Sequence, residues 1–443
     1  MYRLSLLLSV MLLAACGGGE DISEPDAGGG YQDEGRERIP VLGFEQQLDA
    51  NPDLQNIPVS LPRPYRNRDY PQSGGTAANL TYHLWLPDRL NRAWRTNVGR
   101  GSDLIARQIM PPVVLDGRIF TIDTRGLVTA LDTDTGDKLW ERRLRLEGAR
   151  KAIAMGGGLA VGGDRLYVTT GFGFISCLDV RSGEEIWRYS NPIPFRGAPT
   201  LSGARLFAVT QDNQVVALNI ESGSLLWTQA GLPEESALLG AAAPAVDNET
   251  VVAALSSGEL VALRVENGRQ VWQDTLSRTR RLTPLASLGD IDGNPVIEDG
   301  RVYAVGHAGR MVAINLRSGE RVWENDVSGV HTPILAGPFM FMITADGDLV
   351  SVLRNDGRVR WVTRLQRFKE LDKREGPIHW TGPVLAGDRL IVVSSHGFML
   401  SVSPYTGDFL GARELSDGVV ASPVIADGTL YILTEDAELI AFR

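Results

Sequence analysis

One frame recurs along this chain at roughly 40 to 50-residue intervals, and self-similarity at that period marks a propeller or a solenoid. The frame is a small residue, five residues, Gly, three residues and then Trp. It reads Ala130–Gly136–Trp140, Cys177–Gly183–Trp187 and Ala217–Gly223–Trp227, and three further copies end at Trp272, Trp323 and Trp361. A seventh copy, Ser401 to Gly407, keeps the spacing but has Gly411 where Trp is expected. Within a unit such as 294–323, runs of three to six β-forming residues alternate with Gly, Asp, Asn and Ser turns. That pattern predicts antiparallel strands, four to a unit, and hence four-stranded blades.

Closure follows from counting. Seven units run from about 111 to 411, and residues 421–443 supply three strands of an eighth. A lone Trp94 in Asn91–Asn97 has no blade before it. A strand there that completes the last blade would leave no open edge, so the expectation is an all-β, eight-bladed propeller over residues 90–443. The Gly before each Trp suits a turn at positive φ. Trp94, Trp140, Trp187, Trp227, Trp272, Trp323 and Trp361 are expected to lie over the neighbouring blade as structural docking residues, not as a substrate-stacking surface.

The chain has 443 residues, a formal net charge of −10 and a pI near 5.2, which offers no basic footprint for nucleic acid. Residues 1–16 hold one Arg and then a short apolar run, an export signal too short to span a bilayer comfortably. It ends Leu13-Ala14-Ala15-Cys16, which resembles the bacterial lipobox and implies acylation of Cys16 and a membrane anchor. Residues 17–80, rich in Gly, Pro, Asp, Glu, Gln and Asn without periodicity, read as a flexible tether. Cys177, the second of two cysteines, occupies the frame's small-residue position and reads as inert core.

Motifs for chemistry are sparse. The five His form no metal-spaced pair, and no nucleophile elbow, P-loop or dinucleotide fingerprint stands in a fitting context. The Gly156–Gly158 run reads as a propeller turn. Asp290-Ile-Asp292-Gly293-Asn294 opens like a calcium loop but lacks a distal Glu at EF-hand spacing. The Trp frame also resembles that of pyrroloquinoline-quinone dehydrogenases, but their vicinal cysteines are missing, so the likeness is one of scaffold. The expectation is no enzyme, no catalytic or metal residue and no cofactor.

Lipobox, tether and propeller together resemble the BamB family, lipoproteins of the outer-membrane β-barrel assembly machinery. Residues 284–297, leading into Ala313–Trp323, carry the most specific part of the likeness. In that family an Asp-x-Asp before a Pro-Val strand helps engage BamA, and here those positions are Asp290 and Asp292. The family's other contact loop matches at Leu238 and Gly240 in Ser236–Pro244. It departs at Ser236, where a Leu is expected, and at Leu239, where an Arg is expected. Leu238 and Leu239 fit either a docking patch or the packing of an inter-blade loop. Asp290 and Asp292 fit either partner contacts or turn acceptors. The resemblance implies a lipid-anchored scaffold at the periplasmic face of the outer membrane. Its partners would be a POTRA domain of BamA, the other assembly subunits and nascent outer-membrane proteins. The rival readings are a periplasmic ligand- or protein-binding propeller and a quinone-dependent dehydrogenase.

Overall fold

A computed structural model describes residues 48–54, 56–103, 110–145, 156–232, 242–276 and 291–443. It contains eight four-stranded antiparallel sheets, each ordered as in the chain apart from the one that holds both ends. Blade 1 consists of Val113–Leu115, Arg118–Ile122, Leu127–Asp132 and Lys138–Arg143. Blades 2 to 7 follow over residues 157–190, 200–230, 245–275, 296–325, 334–364 and 380–414. Blade 8 takes Val424–Ala426, Thr429–Leu433 and Glu438–Phe442 and completes itself with Arg92–Asn97. In that closing pair Trp94 stands opposite Ala441, and Asn91 and Arg443 exchange backbone hydrogen bonds of 2.6 and 2.9 Å. The eight-bladed fold and its closure by the N-terminal strand are as the repeat predicts.

The strand order explains the residue pattern. The second and third strands of each blade are covered on both faces by neighbouring blades, so they read as nearly continuous apolar runs such as Leu166–Thr170 and Phe174–Leu178. Outermost strands have one wet side and alternate, as in Glu185–Ser190. Hydrophobic clusters sit between consecutive blades. One joins Val113, Phe120 and Val128 of blade 1 to Leu159, Leu166 and Phe174 of blade 2, and another joins Trp94 and Tyr431 of blade 8 to Val114 and Ile119 of blade 1. The stability of the ring therefore lies in wedges between blades.

The small residue of the frame has a geometric cause. Ala130, Cys177, Ala217, Ala262, Ala313 and Ser351 lie directly across the strand pair from Trp140, Trp187, Trp227, Trp272, Trp323 and Trp361, and the register slips at the next residue of the third strand. A bulky side chain there would compete with the indole for one space, and the bulge tilts the indole toward the next blade. Cys177 is fully buried in this role, and burial raises its thiol to about 12.

The tether expected over 17–80 needs correction from residue 48 onward; residues 17–47 lie outside the described residues. Residues 48–443 form one compact unit. Leu54, Tyr70, Asn79, Leu80 and Leu84 are buried. Polar, aperiodic composition reads as coil because no side-chain face repeats, but these residues find partners one at a time. Asn67 Nδ2 donates to Ile425 O at 2.6 Å, and Asn79 Nδ2 donates to Pro295 O at 2.9 Å. The Gly156–Gly158 run also differs from expectation. Gly157 and Gly158 begin the inner strand of blade 2, where a Cβ on Gly157 would stand 2.3 Å from Thr169 O.

Candidate functional site

Each docking tryptophan meets the turn of the blade that follows. Trp94 Nε1 donates to Thr133 O at 2.9 Å, Trp140 to Val180 O at 2.9 Å, and Trp272 to Leu316 O at 2.7 Å. Trp187, Trp227, Trp323 and Trp361 donate to Ile220, Val265, Arg354 and Pro404. In every case the acceptor lies three residues before the frame's Gly, so the indole covers the Gly itself. The ring contributes very roughly 2–3 kcal/mol by burial. These side chains are engaged within the ring of blades and offer no stacking surface.

Gly411 breaks the series for a reason found in blade 8. The third and outermost strands of that blade come from opposite ends of the chain, so no turn joins them and no glycine waits for an indole. Arg413 covers the junction instead, with its guanidinium 5.1 Å from the Phe442 ring centre and Nη2 donating to Leu90 O.

Of the residues expected to engage a partner, Leu238, Leu239, Gly240 and Asp290 lie outside the described residues, as does Cys16. Residues a few positions after Gly240 and Asp290 are described, and these are joined. Ala243 N donates to Asn294 Oδ1 at 2.7 Å, and both residues are buried. The two stretches, one before blade 4 and one before blade 5, therefore lead into adjoining points on the ring. Residues 291–294 are held from the other side too. Asn294 N donates to Thr332 Oγ1 at 3.0 Å, Ile291 is fully buried, and a Cβ on Gly293 would lie 2.6 Å from His331 O.

Asp292 takes a position that the sequence did not suggest. Its side chain is 11% exposed and lies 3.7 Å from Arg196 Nη2, itself 5% exposed. Arg196 belongs to the connection between blades 2 and 3, and its backbone is pinned by hydrogen bonds to Val209 O and from Gly157 N. Asp292 thus ties the start of blade 5 to the start of blade 3. In a water-poor setting a carboxylate facing a guanidinium fares better than either group would unpaired.

Arg196, Asp292, Asn294, His331 and His379 line a cavity of about 770 Å³ on the axis. Burial lowers the His331 pKa to about 4, with neighbouring His379 acting in the same direction against a raising backbone hydrogen bond to Trp380. His331 is therefore neutral at neutral pH. Among the described residues no group of three or more His, Cys, Asp or Glu is placed to share a metal ion. Asp292 and Asn294, the calcium-loop candidates in this region, face a guanidinium and a backbone N–H. Arg196 and His331 were missed by reading the sequence because each joins the cavity from a different blade.

Comparison with known proteins places this ring. The family model for outer membrane protein assembly factor BamB matches residues 90–155 and 124–363. The assembly factor BamB of Escherichia coli K12 is 28% identical over 349 residues, covering 78% of this chain and 86% of that protein. The Yersinia pestis protein of the same name is 26% identical over 357 residues, covering 79% and 88%. Among solved structures, BamB from Moraxella catarrhalis superposes with a TM-score of 0.69 at 19% identity, over 80% of this chain and 100% of that one. A europium-containing methanol dehydrogenase shares the fold at a TM-score of 0.65 and 14% identity, over 82% of this chain and 89% of that one. With more than half of its length matched by the family model, the chain belongs to the family of the outer membrane protein assembly factor BamB.

Proposed function

We propose that the protein is a non-enzymatic scaffold of outer-membrane protein assembly, held at the periplasmic face of the outer membrane by acylated Cys16. It binds a POTRA domain of BamA and so assists the folding and insertion of outer-membrane proteins. The docking surface is the pair of stretches containing Leu238, Leu239, Gly240 and Asp290. Asp292, held by Arg196, is the second acidic residue of that surface.

The observation that carries this reading is the Ala243–Asn294 hydrogen bond. It joins the described residues that follow two stretches which the resemblance singles out separately. Leu238 and Leu239 supply the apolar part of the proposed contact and Asp290 its polar part.

A pull-down from detergent-solubilised outer membranes, with the lipoprotein tagged at its C-terminus, tests the proposal. Recovery of BamA is expected. Clean recovery of the bait without BamA would instead favour a ligand-binding propeller, with the axial cavity as its site.

A further inference from the structure

The innermost strand of a propeller blade has one edge that faces the axis, where its N–H and C=O groups are left without a strand partner. In this chain those edges are occupied by the segment that precedes the family match, residues 59–87. Asn67 O accepts from Asp427 N of blade 8 at 2.7 Å. Tyr70 exchanges two hydrogen bonds with Val114 of blade 1, at 2.9 and 2.8 Å. Pro71 O accepts from Val161 N of blade 2 at 2.8 Å, and the Gln72 side chain pairs with both backbone groups of Leu201 in blade 3. Ala77 O and Ala78 O accept from Val246 N of blade 4 and Ile297 N of blade 5, at 2.7 and 3.0 Å. Leu84 donates to Leu385 O and accepts from Gly387 N in blade 7, both at 3.0 Å. Blade 6 is met by packing, with Val59 and Leu61 against its cluster.

The segment thus passes blades 8, 1, 2, 3, 4 and 5 in ring order before it reaches blade 7. Its own two arms are joined as well. Tyr65 N donates to His83 O at 3.0 Å, and Trp85 N donates to Tyr65 O at 2.7 Å. The buried His83 ring bridges Pro62 O through Nδ1 and accepts from Asp388 N through Nε2. The axial cavity bottoms on Tyr70, Ser73, Gly74, Asn79 and Thr81 of this segment, while its walls are residues that precede the inner strands, such as Pro111, Asn294 and Ser422.

We propose that the inner edges of the blades at one end of the axis are a site for extended peptide that this chain fills in cis. Residues 59–87 form a strap that caps the inner edges of the blades and closes one end of the axis. Among the described residues, this leaves the axis open from the face where Asp292 and Asn294 lie. This goes beyond the partner-docking reading and does not depend on it.

Hydrogen–deuterium exchange on the intact, natively folded chain tests the strap directly. The expected result is that amides of Tyr70 and Leu84, and the axis-facing amides of Val114, Val161, Val246 and Ile297, exchange at least about 100-fold slower than unprotected amides. A segment 59–87 that exchanges at unprotected rates while residues 165–179 stay protected overturns the proposal. The variant Gln72→Ala/Asn79→Ala supplies a second reading. Its strap and inner-edge amides are expected to speed up together, by about 10-fold or more, with the outermost strands unchanged. Inner-edge amides that keep wild-type protection while the strap exchanges freely would show that the strap does not cap them.

Discussion

Gly136 lies beneath the indole of Trp94, and a Cβ placed on it would stand 2.6 Å from the Trp94 ring. Gly136 has a φ of 75°, and the same arrangement recurs between Trp140 and Gly183, Trp187 and Gly223, and on around the ring to Trp361 and Gly407. One residue of each pair comes from one blade and one from the next, so the frame records a contact between repeats. The Trp94–Gly136 pair is the one that locks the N-terminal strand.

Gly136→Ala is expected to destabilise the protein by about 2–4 kcal/mol, combining the left-handed backbone cost with a displaced indole. Gly411→Ala, where nothing lies within 4 Å of an added Cβ, should stay within about 0.5 kcal/mol of wild type. Urea unfolding of both variants checks this. Equal effects would remove the docking role of the frame.

Asn79→Ala should cost on the order of 2–3 kcal/mol. The carbonyls of Ala243, Pro244 and Pro295 lose a shared donor, and alanine must adopt the φ of 58° that asparagine tolerates. Asn79→Gly relieves the backbone but not the carbonyls, and its midpoint should fall between the two in chemical denaturation.

Arg196 and Asp292 should be coupled. In a double-mutant cycle with Arg196→Met and Asp292→Asn, the stabilities are expected to be non-additive by about 1 kcal/mol or more. Additive losses would mean that the two groups act independently.

His331 makes stability depend on pH. Its folded pKa, lowered to about 4, sits below the unfolded value of 6.5, so the unfolded chain binds the extra proton between these limits. The contribution is fully present above about pH 6.5 and is lost as pH falls toward 4, up to a few kcal/mol. Comparing unfolding at pH 7 and pH 4.5 in wild type and His331→Asn reads this. The variant should lose part of the pH dependence.

The ring of blades is legible in the sequence because blades 1 to 6 repeat the same local needs: a small residue opposite the indole, a glycine beneath the preceding indole, and two covered strands. The exception at Gly411 is visible too, but its cause is not. It lies in blade 8, where Glu438–Phe442 and Arg92–Asn97 meet without a turn between them. The strap is hidden for the opposite reason. Tyr70, Gln72, Ala77 and Leu84 each serve a different blade, so no period survives in residues 59–87. Arg196 and Asp292 belong to connections on different blades, and no local pattern links them. The docking stretches are legible only through their resemblance to a family, and Leu239 departs from it where an Arg is expected.

Isothermal titration of residues 17–443 against the periplasmic POTRA domains of BamA tests the central claim most directly. Leu238→Glu combined with Asp290→Arg should leave the far-ultraviolet circular dichroism and the unfolding midpoint unchanged while weakening binding by several kcal/mol, as loss of a central hot spot does. A dissociation constant equal to that of wild type would place the partner on another surface.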